Sequence, residues 1–557
     1  MTRMFQVVPF LVLCSVAGAE DFTLRIAATT DLHGNIYPYD YYTAKPAERG
    51  LAKIATLIRK ARSENPHLLL VDSGDTIQGS PLETVHQLAV RAGKTQAADP
   101  MMLEMNVLGY DAMAVGNHEF NYGLANLNAA RTAAKFPWLS ANTVLSSGSH
   151  EKAFEAYIVK TVNGVKVGII GITTPGVPSW EEPDHYRGYR FESGVTAAQN
   201  ALADLKARHS PDVVIVVAHS GLGSDSGDLA GENMSRQIAE RVAGIDAIIY
   251  GHTHLEEPGK LINGVLVMQP KNWGISLGVM DLNMSKADGH WRVKSKSSTV
   301  WKVTRDVAAD PEILKIAEPY HKAAEAYLSQ NVSESPVELS GRFARVEDTP
   351  LIDAIQAVQL HYAQADVSFA SCFNPRVEVK KGAVTVRDVA GLYIYDNTLY
   401  AIEATGATVR AALENAARFY KQCPDAQCSS GPLINPRVVG FNYDMAEGVD
   451  YEIDLTKPEG SRIVNLRYHG QPLKDEQPLR IAVNNYRAGG SAGYDMFKSA
   501  KIVWRSSEEI RDMIVHYYSD KRSLPARATG NWRVIPESAL KVLEAEVDAE
   551  SRRGANR

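Results

Sequence analysis

Five short β-rich runs in the first half of the chain each end in a cluster of aspartate, asparagine and histidine. That recurrence limits the possible folds more than any other feature. Leu24–Ala28 leads into Asp31-Leu32-His33-Gly34-Asn35, and Leu68–Val71 into Gly74-Asp75. Asp111–Val115 leads into Gly116-Asn117-His118-Glu119, Val213–Val217 into His219-Ser220-Gly221, and Ile245–Tyr250 into Gly251-His252-Thr253-His254. Between such runs lie amphipathic stretches, as where Leu51, Ile54, Leu57, Ile58 and Ala61 recur at helical spacing. Val165–Ile172 is a further predicted strand. Alternating β and α segments from about Phe22 to Val300 imply a sandwich with helices over largely buried sheets. Loops at the C-terminal ends of strands are where open α/β sheets gather ligands, so five loops scattered along the chain are expected to converge.

The side chains in these loops suggest a chemistry. Asp31, His33, Asp75, Asn117, His219, His252 and His254 are all oxygen or imidazole donors, with no thiolate among them. Such a set suits zinc, manganese, iron or a similar divalent ion and does not choose between them. Seven ligands are too many for one tetrahedral site. They suit two adjacent ions sharing a carboxylate, an arrangement that lowers the pKa of a trapped water and clamps a phosphoryl group during displacement. Taken singly, each cluster has a plain alternative, since Gly-Asp is a common turn and a lone histidine after a strand is usually structural. The joint occurrence on five strand exits sets that alternative aside. Asp72, His67, His86 and His361 lack this context and are expected to be structural or solvated.

The chain has 557 residues, too many for one core, and its composition is that of a globular protein. Residues 1–19 are expected to be a signal peptide: Arg3 precedes a short apolar run, and Ala17-Gly18-Ala19 fits a cleavage site. The run is too short to span a bilayer, so a secreted, most simply periplasmic, protein without stable membrane insertion is expected. The net charge is −6, and loss of Arg3 makes it more negative. That balance gives no reason to bind nucleic acid polymers or anionic membranes, so an anionic substrate must be held by local positive charge. The expected organisation is a catalytic domain over 20–305, a linker helix over 306–334, a second α/β domain over 335–540 and a charged tail over 541–557, read as a frayed helix. Cys423 and Cys428 can close a small disulfide loop, which export permits, leaving Cys372 free and buried.

The motifs DLHGN, GDTIQGS, GNHEFNYG, AHSG and GHTH resemble those of the calcineurin-like metallophosphoesterases. More narrowly, the whole mature chain is similar to the 5′-nucleotidase family, and within it to the bifunctional 2′,3′-cyclic-nucleotide 2′-phosphodiesterase/3′-nucleotidases. The resemblance implies a two-domain α/β protein: an N-terminal αββα β-sandwich flanked by helices, and a C-terminal α/β substrate-binding domain. It implies a first ion held by Asp31, His33, Asp75 and His254, and a second by Asp75, Asn117, His219 and His252, with Asp75 bridging. His118 matches the family's catalytic histidine, which acts where phosphoryl charge develops. The 5′-nucleotidases carry aspartate three residues after that histidine. Here the position is Asn121, a departure from a simple His–Asp dyad that the cyclic-nucleotide branch shares.

In the second half, GLYIYDNTL, GFNYDMAEGVDYEIDLT and NNYRAGGSAGYD resemble C-terminal motifs of that branch. The resemblance implies that Tyr395 and Tyr486 sandwich the base of a nucleotide or cyclic nucleotide, with Asn397 nearby; stacking suits a site that accepts several bases. Arg345 and Arg376 align poorly and carry no assignment. The implied activity is hydrolysis of 2′,3′-cyclic nucleotides to 3′-nucleotides and then to nucleoside and phosphate, by attack of a hydroxide bridging the two metals. A 5′-nucleotidase or nucleotide-sugar hydrolase, and a non-catalytic nucleotide-binding protein, are the alternatives.

Overall fold

The computed structural model describes residues 20–147, 151–223, 231–287, 289–395, 397–425 and 427–555. The expected signal peptide, 1–19, lies outside the described residues. The N-terminal half contains two six-stranded sheets. The first runs in the order His290–Lys302, Ser276–Ala287, Glu20–Thr29, Leu68–Asp72, Ala112–Ala114, Trp138–Leu139. The second runs Glu257–Ile262, Val265–Gln269, Ala247–Tyr250, Val213–His219, Val165–Thr173, Tyr157–Val162. Their central strands are parallel, as in Ala28 beside Val71 and Val217 beside Ile249.

Side-chain alternation stacks these sheets and clothes them. In the fully buried strand Val213–His219, Val213, Ile215 and Val217 pack between the sheets with Ile26, Ala28 and Val71. Val214, Val216 and Ala218 point the other way, onto Ala198, Leu202 and Leu205 of the helix Gly194–His209. On the outer face of the first sheet, Ala27, Leu70 and Met113 join Ile54 and Ile58 of the helix Leu51–Glu64. Strands buried on both faces read as near-continuous apolar runs, as these do. The expected αββα layering is therefore present.

The C-terminal half holds a five-stranded sheet, Asp444–Glu447, Val367–Ser371, Pro478–Asn484, Thr398–Thr405, Lys501–Glu509, and a smaller four-stranded one. Between the halves runs the helix Pro311–Leu328, inside the expected linker. Asp310 caps it, accepting from the N–H groups of Glu312 and Ile313, and Pro311 takes the first turn, where no donor is needed. The helix is docked along the catalytic domain: it buries Ile313, Ala317, Ala324 and Leu328, and Tyr320 donates to the Ala98 carbonyl.

The charged stretch expected as a frayed helix lies in the helix Glu537–Ala555, whose Ala539 and Leu543 are fully buried. Glu546 accepts from the backbone N–H groups of Leu433 (2.6 Å) and Ile434 (3.0 Å), so a residue counted as tail charge is an anchor. Cys423 and Cys428 form the disulfide, and Cys372 is free and buried.

Candidate metal centre

The loops after Thr29, Asp72, Ala114, His219 and Tyr250 meet at one end of the sandwich. Three backbone bonds join the first two: Asp31 N–H to Gly74 O, His33 N–H to Asp75 O and Gly34 N–H to Thr76 O, each 2.9 Å. Glu119 braces the third loop against them, accepting from the N–H groups of Asp75 (2.9 Å), Thr76 (2.6 Å) and Gly116 (2.7 Å). Asp31, His33, Asp75, His252 and His254 all have φ between 46° and 75°, a region non-glycine residues rarely enter. Each such residue costs about 1–3 kcal/mol, so the surroundings impose these conformations, as happens where side chains must be aimed. The loops also approach closely. A Cβ on Gly116 would sit 2.2 Å from Asp75 Oδ1, and one on Gly251 would sit 2.0 Å from Thr30 Oγ1. Nothing larger than glycine fits at either position.

Two groups of ligand-type atoms result: Asp31, His33 and His254; and Asp75, His219 and His252. Nε2 of His33 lies 3.0 Å from Nε2 of His254, and Oδ1 of Asp31 lies 3.5 Å from the latter. Nε2 of His219 lies 2.9 Å from Asp75 Oδ2 and 3.0 Å from Asn117 Oδ1. Asp75 Oδ2 is also 4.0 Å from Nε2 of His33, which sets this carboxylate between the groups. His252 turns Nε2 to Glu232 Oε1 at 2.8 Å, so Nδ1 is the nitrogen that would meet an ion.

The donor set fits divalent ions on its own chemistry. Nδ1 of His219 donates to Ser73 O (2.7 Å), and Nδ1 of His33 to Gln78 O and Oε1 (3.1 Å each). Their Nε2 atoms therefore present lone pairs, and that of His219 meets oxygens that are acceptors too. Only a positive charge, a proton or a metal ion, reconciles converging acceptors in a buried place. With no ion bound, the electrostatics call for the proton. Burial disfavours a charged His219, yet the Asp75 carboxylate overrides it and raises the ring to about 10. Burial opposes ionisation of Asp31 as well, and its bond to His254 still brings it down to about 2. Burial, with His254 alongside, lowers His33 to about 4.

Residues 24–256 match the calcineurin-like phosphoesterase model, and residues 329–499 match the 5′-nucleotidase C-terminal domain. A Haemophilus influenzae protein named 2′,3′-cyclic-nucleotide 2′-phosphodiesterase/3′-nucleotidase is 31% identical, over 95% of this chain and 90% of its own length. The chain belongs to this metallophosphoesterase family. The trifunctional nucleotide phosphoesterase protein YfkN of Bacillus subtilis is 32% identical over 94% of this chain, which spans only 40% of that relative. A solved Staphylococcus aureus structure, described as a candidate 5′-nucleotidase, superposes with a TM-score of 0.71 at 26% identity, covering 92% of this chain and all of that one.

Within this family member, His118 stands beside His33, ring centroids 5.2 Å apart, and its backbone N–H donates to Asp75 Oδ1 at 2.8 Å. Asn121 meets its ring: Oδ1 lies 2.6 Å from His118 Nδ1. Asn121 Nδ2 donates to Glu181 Oε1 at 2.8 Å, and His185 Nδ1 meets Glu181 Oε2 at 3.0 Å. A carboxylate only accepts, so Glu181 fixes the amide, and the amide oxygen fixes the proton on Nδ1 of His118. In place of a His–Asp dyad there is a His–Asn–Glu relay.

Tyr395 lines an interdomain cleft of about 660 Å³ that also contains His33, Trp273, Arg376 and Arg511. The residue is 38% exposed, and its ring stands edge-on to Phe373 at 4.9 Å. Tyr486 is 53% exposed over Arg487 and does not line that cleft. Asn397 donates to the hydroxyl of Tyr393 at 3.1 Å, which places it as a brace for a buried tyrosine. Arg345 is turned to the Cys372 carbonyl. Asp72, expected to be structural, accepts from Thr29, Gly74 and Thr76. A groove of about 770 Å³ beneath the last helix carries none of the predicted site residues.

Sequence reasoning missed Glu119, Glu181, His185, Gln78 and Glu509, and assigned no role to Glu232. Glu119 and Gln78 sit inside quoted motifs, which was the available signal. Nothing local marks Glu181 or Glu509.

Proposed function

We propose that the protein hydrolyses 2′,3′-cyclic nucleotides to 3′-nucleotides and these to nucleoside and phosphate, using two divalent ions. The observation that carries this reading is the position of Asp75 between two ligand groups beside the cleft that Tyr395 lines. Asp31, His33, Asp75 and His254 would hold one ion, and Asp75, Asn117, His219 and His252 the other. Bound there, the ions would supply Lewis acidity and an activated water.

The chain's own residues do the rest. His118, held through its Nδ1–H by Asn121 Oδ1, turns Nε2 to the phosphoryl group; carrying a second proton there, it stabilises the developing charge and gives that proton to the departing oxygen, and the proton released by the attacking water restores it. Asp75 Oδ1 holds the His118 backbone in place. Tyr395 stacks on the base, with Tyr486 reaching its other face in a different domain arrangement. Rotation about the helix near residue 320 lets the two ends of the substrate reach the same site in turn. The catalytic domain is taken as 20–305 and the nucleotide-binding domain as 335–540. The protein is secreted after cleavage near Ala19, which N-terminal sequencing of the exported form tests.

The deciding experiment gives purified protein, with manganese or zinc, 2′,3′-cyclic AMP, 3′-AMP and 5′-AMP separately and resolves the products. Adenosine from the first two, with 5′-AMP slow, is expected. Preference for 5′-AMP would replace this reading by a 5′-nucleotidase, and binding without turnover by a binding protein.

A further inference from the structure

Gln78 and Glu509 are 431 positions apart and hydrogen-bonded in a buried place, 4% and 9% exposed. Gln78 follows the Asp75 loop. Glu509 ends the last strand of the C-terminal five-stranded sheet, opposite Thr398. The Ile510 N–H, donating to Asn397 O at 2.8 Å, fixes that strand end. Arg511, 4% exposed, donates to the other oxygen of Glu509 and lays its guanidinium over Tyr42 of the catalytic domain, 4.6 Å from the ring centre. The two domains are thus clasped beside the metal centre.

The clasp reaches a ligand. Glu509 only accepts, so the amide of Gln78 must turn its NH₂ outward and its Oε1 toward His33 Nδ1, 3.1 Å away. The Gln78 backbone carbonyl, also at 3.1 Å, shares that proton. Both acceptors hold His33 with Nε2 as the lone-pair nitrogen. Without Glu509 the amide is free to turn and set its NH₂ against the Nδ1–H. We propose that Glu509 of the C-terminal domain is a positioning residue for His33, acting through Gln78, so that ion affinity at the Asp31–His33–His254 group depends on the domain arrangement seen here. The proposal rests on the two-ion reading of the site. Outer partners of ligating histidines typically set metal affinity by tenfold or more. By reciprocity, an ion in this group favours the clasped arrangement.

The test is a chelator competition with zinc on the full chain, freed of metal, for the wild type, Gln78→Leu, Glu509→Gln and the double variant, with urea midpoints of the metal-free proteins as the folding control. The wild type should bind two ions. Each single variant should weaken one of them by about tenfold and leave the other within about twofold, and the double variant should lose no more than the larger single loss, because both changes cut one relay. Gln78→Leu leaves the Glu509–Arg511 pair intact and decides the matter if Glu509→Gln does not fold. Unchanged affinities in folded variants, equal weakening of both ions, or additive losses would overturn the relay while leaving the two-ion reading standing. A wild type that binds fewer than two ions would instead remove that reading.

Discussion

Replacing Asn121 by aspartate would give this protein the residue that 5′-nucleotidases carry beside the catalytic histidine, and it is expected to impair the enzyme. Asn121 Nδ2 sits 2.8 Å from Glu181 Oε1, so an aspartate oxygen would face a carboxylate at that separation. Two unit charges there repel by about 6 kcal/mol at an effective dielectric of about 20, and by about 1.5 kcal/mol in bulk water. Glu181 is 7% exposed and Asn121 half-buried, which places the cost between these limits. The repulsion swings the new carboxylate off His118 or protonates one of the pair. Since about 1.4 kcal/mol is a factor of ten, kcat/KM on 3′-AMP at pH 7 should fall by about tenfold or more. Activity should recover partly at lower pH as one carboxyl takes up a proton. Adding Glu181→Gln should restore it: the new amide can donate to the introduced carboxylate while its oxygen still accepts from His185, 3.0 Å away in the native protein. Kinetics of the two single variants and the double variant on 3′-AMP, with melting curves to confirm folding, are the assay. An Asn121→Asp enzyme as active as the wild type, with no gain on adding Glu181→Gln, would refute the relay.

Other outcomes follow from the same geometry. Asp75→Asn should lower turnover by about a thousandfold while circular dichroism stays native, because this carboxylate faces both ligand groups and holds the His118 backbone; near wild-type rates would remove its bridging role. Tyr395→Ala should cost about 1–3 kcal/mol of nucleotide binding and leave base-free ribose 3-phosphate unaffected, and equal losses on both would exclude stacking. Arg487 and Asp444 form a buried bidentate pair at 2.7 and 2.9 Å, so Asp444→Ala should cost about 3–5 kcal/mol by urea unfolding, whereas a loss under about 1 kcal/mol would show the guanidinium finding water. Burial, against its hydrogen bonds, raises Asp72 to about 7. Folding then keeps a proton that the unfolded chain releases, so metal-free protein should lose stability as pH rises from about 4 to about 7, by up to about 4 kcal/mol. Asp72→Asn should flatten that slope, and an unchanged slope would mean another group carries it.

The legible part of this protein is the part where chemistry dictates residue type. A divalent ion accepts only a few donors, so aspartate, asparagine and histidine recur at five strand exits, and the strands behind them are apolar runs because both faces are covered. His118, proposed above as the catalytic histidine, was legible only through the resemblance of GNHEFNYG. What stayed hidden has different causes. Left-handed backbone at Asp31, His33, Asp75, His252 and His254 is hard to read from residue choice, since aspartate and histidine, which enter it more readily than most residues, are also the types a metal site would use. The last helix looked like a charged tail because, among its described side chains, only Ala539 and Leu543 are fully buried, and Glu546 works through its carboxylate on another segment's N–H groups. Asn121 looked like the loss of a dyad because its partner, Glu181, lies sixty positions further along. Gln78 and Glu509 repeat that arrangement across the domain boundary. In both places a carboxylate reaches a histidine through a primary amide, and the amide keeps negative charge one residue further from the ring. An aspartate in direct contact would add its full charge to a site that already holds Asp31 and Asp75. The relay fixes the tautomer without that addition, which gives a physical reason for an amide at position 121.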